Sequence, residues 1–193
     1  VVSDQWPVRA ASPWERIIAE LRERGIEFEE GLTDGEIRRA QSRYKLKFPP
    51  DLREFLQTAF PVSDGFAAWR ADDDTKLRAS LAWPADGMAF DAQRNQHWRK
   101  YWSERAGVGE VPEGTARRQV ALAPRLVPIY AHRFIPSEPL LPGNPVFSVY
   151  QTDIIYYGYD LADYLRQEFH LEGRDERPEE VRPIRFWDDF VRS

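Results

Sequence analysis

Cysteine is absent from the 193 residues. Disulfides, thiolate metal sites and cysteine nucleophiles are therefore excluded. Histidine is scarce: His97, His132 and His170 are the three copies, with no H-x-x-x-H or H-E-x-x-H spacing. A metal site would need carboxylates gathered from elsewhere, so no metal is expected. His170, near the end of a helix pattern, has a sufficient role in complementing the helix dipole. No G-x-G-x-x-G or Walker loop occurs, and "PEGTARR" offers a single glycine where a phosphate cradle needs several. No G-x-S-x-G is present either. No cofactor is expected. No stretch approaches the roughly eighteen apolar residues that a membrane span requires. The first residues, "VVSDQWPVRA", lack the basic-then-apolar order of a leader, so a cytoplasmic location is expected. Positive charge is in deficit. Lys and Arg total 27 against 32 Asp and Glu, a formal charge of −5. That disfavours nucleic acid as the main ligand and favours a basic partner.

What the chain does hold is the material of a core. Apolar residues make up 42% and aromatic residues 13%, which is a globular composition. The seven tryptophans imply large buried contacts. The length suits one domain, read as residues 12–193 behind an N-terminal extension of residues 1–11.

The first half reads as three helices. In "SPWERIIAELRERG", Ser12 caps, Pro13 opens the first turn and Glu15 completes a capping box. Trp14, Ile17, Ile18 and Leu21 form its apolar stripe, and Gly25 stops it. "TDGEIRRAQSRYK" repeats the device with Thr33 and Glu36, over a stripe of Ile37, Ala40 and Tyr44. Pro50 opens the third, whose period runs through Leu52, Phe55, Leu56, Ala59 and Phe60 to a stop at Pro61. The middle is less regular. Leu77–Trp83 and Met88–Phe90 read as short strands, "RNQHWRKYWSERAG" and "TARRQVALAPRL" as helices. "LVPIYAHRFIP" reads as strand, turn, strand. "PVFSVYQTDIIYYG" reads as a hairpin turning at Gln151, Thr152 and Asp153, with runs so apolar that burial on both faces is expected. Asp160 caps "LADYLRQEFHL", a solvated acidic loop follows, and "IRFWDDFV" closes the chain as a short helix. Helices, then strands, then helices predict an α+β fold.

Chemistry-bearing residues are few and scattered. "HWRKYW" interleaves bases with aromatics as a stacking platform does, yet the same spacing places Trp98, Tyr101 and Trp102 on one core-facing helix side. Asp72, Asp73 and Asp74 form an acidic tip without the glycine and distal glutamate of an EF-hand loop. Asp91 or Asp153 beside His132 is the acid–base pair a hydrolase would use, with ordinary loop hydrogen bonding as the simpler account.

The stretch "GLTDGEIRRAQSRYKLKFPPDLREFLQTAFP" resembles the SUKH superfamily, in its Smi/Knr-like branch named for a yeast cell-wall regulator. The resemblance lies in the capped acidic helix Thr33–Tyr44, then Phe48-Pro49-Pro50, Leu52 and Phe55-Leu56. The family's Asn-Gly after this helix is replaced by Pro61 to Gly65. In that respect, and in four further motifs, the chain is similar to longer bacterial members. Those motifs are Gly65-Phe66 with Trp69-Arg70; Gly87 with Phe90-Asp91, Asn95 and Trp98; His132-Arg133-Phe134 with Pro136; and Gly143 to Gly158. The likeness covers the chain from about Pro13 onward. It implies a single SUKH-like domain with a central, mainly antiparallel sheet flanked by N-terminal and C-terminal helices. It implies no enzyme activity. It implies a protein-interaction module, foremost a bacterial immunity protein that binds and neutralises a cognate toxin. The alternatives are a regulatory scaffold of the Smi/Knr type and a hydrolase using Asp91, His132 and Asp153. The expected partner-binding or groove residues are Trp69, Arg70, Asp72, Asp73, Asp74, Asp91, Asn95, His132, Arg133, Gln151 and Asp153. A competing account has Arg70 and Arg133 pairing with Asp91 and Asp153 to lock loops.

Overall fold

The computed structural model describes residues 13–94, 100, 101, 103, 104, 107, 114–173 and 177–191. Helix α1 (Pro13–Glu23) buries the four residues of its predicted stripe. It ends where Gly25 takes φ +86° and Ile26 N–H reaches back to the Leu21 carbonyl at 3.0 Å. Ser12, the expected cap, lies outside the described residues. Strand β1 (Phe28–Glu30) leads to α2 (Asp34–Tyr44). There the capping box is complete: Thr33 Oγ1 accepts from Glu36 N–H, and Glu36 accepts from Thr33 N–H.

Helix α3 spans Pro50–Thr58 and stops short of the expected Pro61. Ala59–Pro61 is instead strand β2, antiparallel to β1. Pro61 disfavours the helical conformation for Phe60 before it, so the apolar period continues while the backbone extends. Leu77–Trp83 and Met88–Phe90 are not strands either. Both lie in one helix, α4 (Thr75–Arg94), with Pro84 inside it. Helix α5 (Thr115–Leu122) follows as read, and no donor at Pro124 continues it.

The main sheet is an antiparallel meander in the order β3 (Leu126–Tyr130), β4 (Arg133–Pro136), β5 (Val146–Tyr150), β6 (Asp153–Gly158). Asp153 belongs to β6, paired with Tyr150, so the turn is Gln151-Thr152 alone. Gln151 takes φ +57° there. The expectation of burial on both faces holds for Val146, Phe147 and Val149 of β5 but not for its exposed Tyr150, nor for β6. The latter is an edge strand, and its Ile155 is exposed. Helix α6 (Leu161–Glu168) is capped by Asp160 as predicted. The closing helix α7 covers only Asp188–Val191, because Phe186 at φ +72° breaks the segment before it.

The fold is α+β, with a core on each face of the sheet. On one face Val127, Ile129, Ile135 and Val146 meet the stripes of α1, α2, α3 and α6. On the other, Leu126, Phe134, Phe147, Val149 and Ile154 meet Met88, Ala89 and Ala92 of α4 together with Trp187 and Phe190. Successive residues along a strand face opposite sides, which is how one sheet serves both cores. Among the described residues no helix is long and apolar enough to cross a membrane.

Candidate functional site

The segment from Pro61 to Asp74 belongs to no helix or strand beyond Pro61, yet it is fastened along its length. Gly65 takes φ +96°, and a Cβ there would stand 2.6 Å from the Tyr130 ring. Glycine is thus required twice over, by conformation and by contact. Phe66 then forms a bridge to Tyr130, and Ala67 N–H donates to the Ile129 carbonyl at 3.0 Å. These bonds cover the open edge of β3, an edge that otherwise invites pairing with another chain. Trp69 packs edge-on to Phe48 and Tyr44, with centroids 4.8 and 5.9 Å away.

Arg70 completes the fastening. Its guanidinium donates to Glu36 Oε1 at 2.7 Å and to the Glu30 and Gly31 carbonyls at 2.8 and 3.1 Å, above the Phe60 ring. Glu29 accepts a further bond at 3.2 Å. The Arg70 bond and those from Thr33 together hold the Glu36 carboxyl down at about 2. Arg70 is therefore a lock, but its partners are glutamates of β1 and α2, not Asp91 or Asp153. Arg133 is likewise locked elsewhere. It donates to Glu168 at 3.0 Å and to Ser148 Oγ at 2.9 Å, and lies 3.8 Å from the Tyr157 centroid.

The acidic tip is bound into the fold as well. Asp73 accepts from Thr75 N–H and Oγ1, which lowers its pKa. Asp74 accepts from Arg78 at 3.0 Å, Tyr44 O–H at 2.9 Å and Arg43 at 2.8 Å. The Arg78 bond is the main cause of its lowered pKa. Of the three, Asp72 lines an open groove.

That groove, of about 820 Å³, runs between the exposed face of α2 and residues 69–72. Of the expected site residues it gathers Trp69, Arg70 and Asp72. The residues missed in the sequence form its other wall: Arg38, Arg39, Ser42 and Arg43. A signal for them was present. Once Ile37, Ala40 and Tyr44 are assigned inward, the helical period turns Arg38, Arg39 and Arg43 outward.

The remaining candidates stand in two other places. Asp91, on α4, accepts from both N–H and Oγ1 of Thr152 and so holds the β5–β6 turn. Gly87 lets that turn approach: a Cβ there would lie 2.8 Å from Gln151 Cα. Asp153 is exposed at the start of β6. His132 sits in the β3–β4 turn with its Nε2 facing an Arg133 amino group. Burial, then the Arg133 charge, lowers the His132 pKa. Asn95, Trp98 and Trp102 lie outside the described residues. Tyr101 is described, and it packs on Phe190 at 5.2 Å, the core-facing alternative for that residue. Among the described residues no group of three or more His, Asp and Glu is placed to hold a metal ion. The chain matches no family model, and neither a curated protein nor a solved structure is similar to it.

Proposed function

We propose that the chain is a non-catalytic protein-binding module, and that it binds and neutralises a toxin in the manner of a SUKH immunity protein. The resemblance of Gly31–Pro61 and of the later motifs supplies the family. The observation that carries the binding role is the groove beside α2. It is open, some 820 Å³ in volume, and its second wall is a strap that Arg70 locks in place. Binding residues on a segment held by a rigid scaffold lose little freedom on association. The hydrolase alternative draws less support. Asp91 is committed to Thr152, His132 Nε2 faces Arg133, and the groove contains neither. A regulatory scaffold of the Smi/Knr type would use the same open groove, and differs only in its partner.

The test is capture of partners from the native cell on immobilised chain, followed by co-expression of the recovered protein. Recovery of a stoichiometric partner whose toxicity is relieved by this chain is the expected result. Two results oppose the reading. One is the absence of any specific partner across several growth conditions. The other is turnover of an ester or phosphodiester substrate that Asp91→Asn abolishes.

A further inference from the structure

We infer that the groove beside α2 is one end of a track that takes an acidic segment of the partner, with apolar residues following the acidic ones. This rests on the protein-binding reading above and names the chemistry of its ligand. The groove shares Arg43 and Tyr44 with a neighbouring cavity of about 300 Å³, which adds Lys45, Arg78 and Arg125. That cavity shares Leu81 and Arg125 with a third, of about 220 Å³. The third is walled mainly by Pro84, Val120, Ala121, Leu126 and Trp187, with Arg125 and an Asp86-paired Arg117 beside them. The three follow one another from α2 across α4 to α5. The track is basic at its first end and mainly apolar at its last.

Charge identifies the ligand. The first two cavities are lined by seven cationic side chains and two carboxylates, Glu36 and Asp72, on a chain of net charge −5. Glu36 is engaged by Arg70, and Asp74 sits between Arg43 and Arg78. Arg38, Arg39, Lys45 and Arg125 form no ion pair among the described residues. Such a cluster creates a local positive potential that an anionic ligand relieves. Guanidinium forks also match carboxylates two bonds at a time.

A peptide fits better than a nucleic acid. Single strands are held by bases stacked on free aromatic faces. Here the groove's aromatics, Tyr44 and Trp69, are packed edge-on to each other, and Trp69 also to Phe48. A long polyanion brings more negative charge against a chain of net charge −5 than a short acidic segment does, and is repelled more. The wall of the third cavity is mainly apolar and its Arg117 is already paired with Asp86, so a leucine or aromatic side chain buries more surface there than a phosphate backbone would.

The experiment is a fluorescence-anisotropy titration with a labelled peptide of about twelve residues, roughly 40 Å when extended. Its first half is Asp and Glu, its second half Leu, Phe and Ser. The expected result is saturable binding that weakens with salt. Arg38→Glu with Arg39→Glu should weaken it at least about tenfold. A peptide with serines replacing its apolar half should bind more weakly. Both arginines are exposed, so the variant should fold; its urea midpoint checks this, and Arg125→Glu supplies an independent reversal. No binding, unchanged affinity in both reversed variants, or tighter binding of an oligothymidylate of equal charge would overturn the inference. The two readings can fail separately. A captured partner that binds the reversed variants as tightly as wild type removes the track and leaves the binding module standing. Failure to capture any partner removes the module, whatever the peptide does.

Discussion

Arg70→Met tests whether the strap is held as its geometry implies. Methionine keeps an apolar stem over Phe60 and deletes every charged bond. The bond to Glu29 counts for little, since that carboxylate is 59% exposed. The Glu36 bond counts for more: the two side chains are 26% and 21% exposed. Exposed pairs contribute about 0.2–1 kcal/mol, and breaking a buried pair costs about 3–5 kcal/mol. A half-buried pair with two added carbonyl bonds falls between, at about 2–3 kcal/mol. The pH dependence is a second readout. Glu36 is held at about 2, below its unfolded value. Its contribution is therefore complete above the unfolded pKa and lost as pH falls through the folded one. Arg70 is the largest cause of that shift, so the gap between wild type and variant should narrow as pH falls from about 7 to about 3. Urea midpoints at both pH values measure it. A cost under about 0.5 kcal/mol at neutral pH, or a gap independent of pH, would refute the lock. A double-mutant cycle with Glu36→Gln should return a coupling of at least about 1 kcal/mol.

Phe55→Ala should cost about 3–5 kcal/mol, because a fully buried ring leaves its edge contacts with Trp14 and Phe28 and a cavity behind. Arg53→Ala, on the opposite face, should leave the urea midpoint near wild type; equal midpoints for the two would misplace the core. Asp91→Ala should lower stability by about 1–2 kcal/mol, since Thr152 loses its partner for two donors. An unchanged thermal midpoint would mean that the Gly87 contact alone holds the turn. Tyr164→Phe should be neutral or stabilising by up to about 1 kcal/mol, because the buried hydroxyl has no hydrogen-bond partner among the described residues. A clear loss of stability in denaturant titration would point to a bonded hydroxyl.

The helices that could be read from the sequence are those that face a single core. Thr33 and Glu36 mark the start of α2, and Ile37, Ala40 and Tyr44 all look the same way, so pattern and structure coincide. Helix α4 escaped for the opposite reason. Its Leu77 belongs to the core on one face of the sheet, and its Met88, Ala89 and Ala92 to the core on the other. A helix serving two cores has no single stripe, and Pro84 and Gly87 further imitate a break. The pair β1 and β2 is three residues long on each side, too short for a period of two to register. Site residues were legible as residues but not as partners. Arg70 finds Glu36 across 34 positions, and Asp91 finds Thr152 across 61. Neither choice is written in local spacing.

Net charge and the charge of the groove diverge for a related reason. A total of −5 predicts attraction to a basic partner. Yet a carboxylate paired with a cation contributes little to the field at the surface. Asp74 faces Arg43 and Arg78, and Glu36 closes the Thr33 box while holding Arg70. The arginines of α2 follow a helical period that turns them outward on the side of the groove. Placement thus gives the groove the opposite sign to the chain. At a range of many ångströms a partner senses the acidic total; within about a Debye length, some 8 Å at physiological salt, it senses the groove. An acidic segment is then repelled at distance and attracted on contact. Its association should be slow at low ionic strength and faster as moderate salt screens the long-range repulsion. Its dissociation should quicken steadily as salt rises, because the groove contacts are weakened throughout.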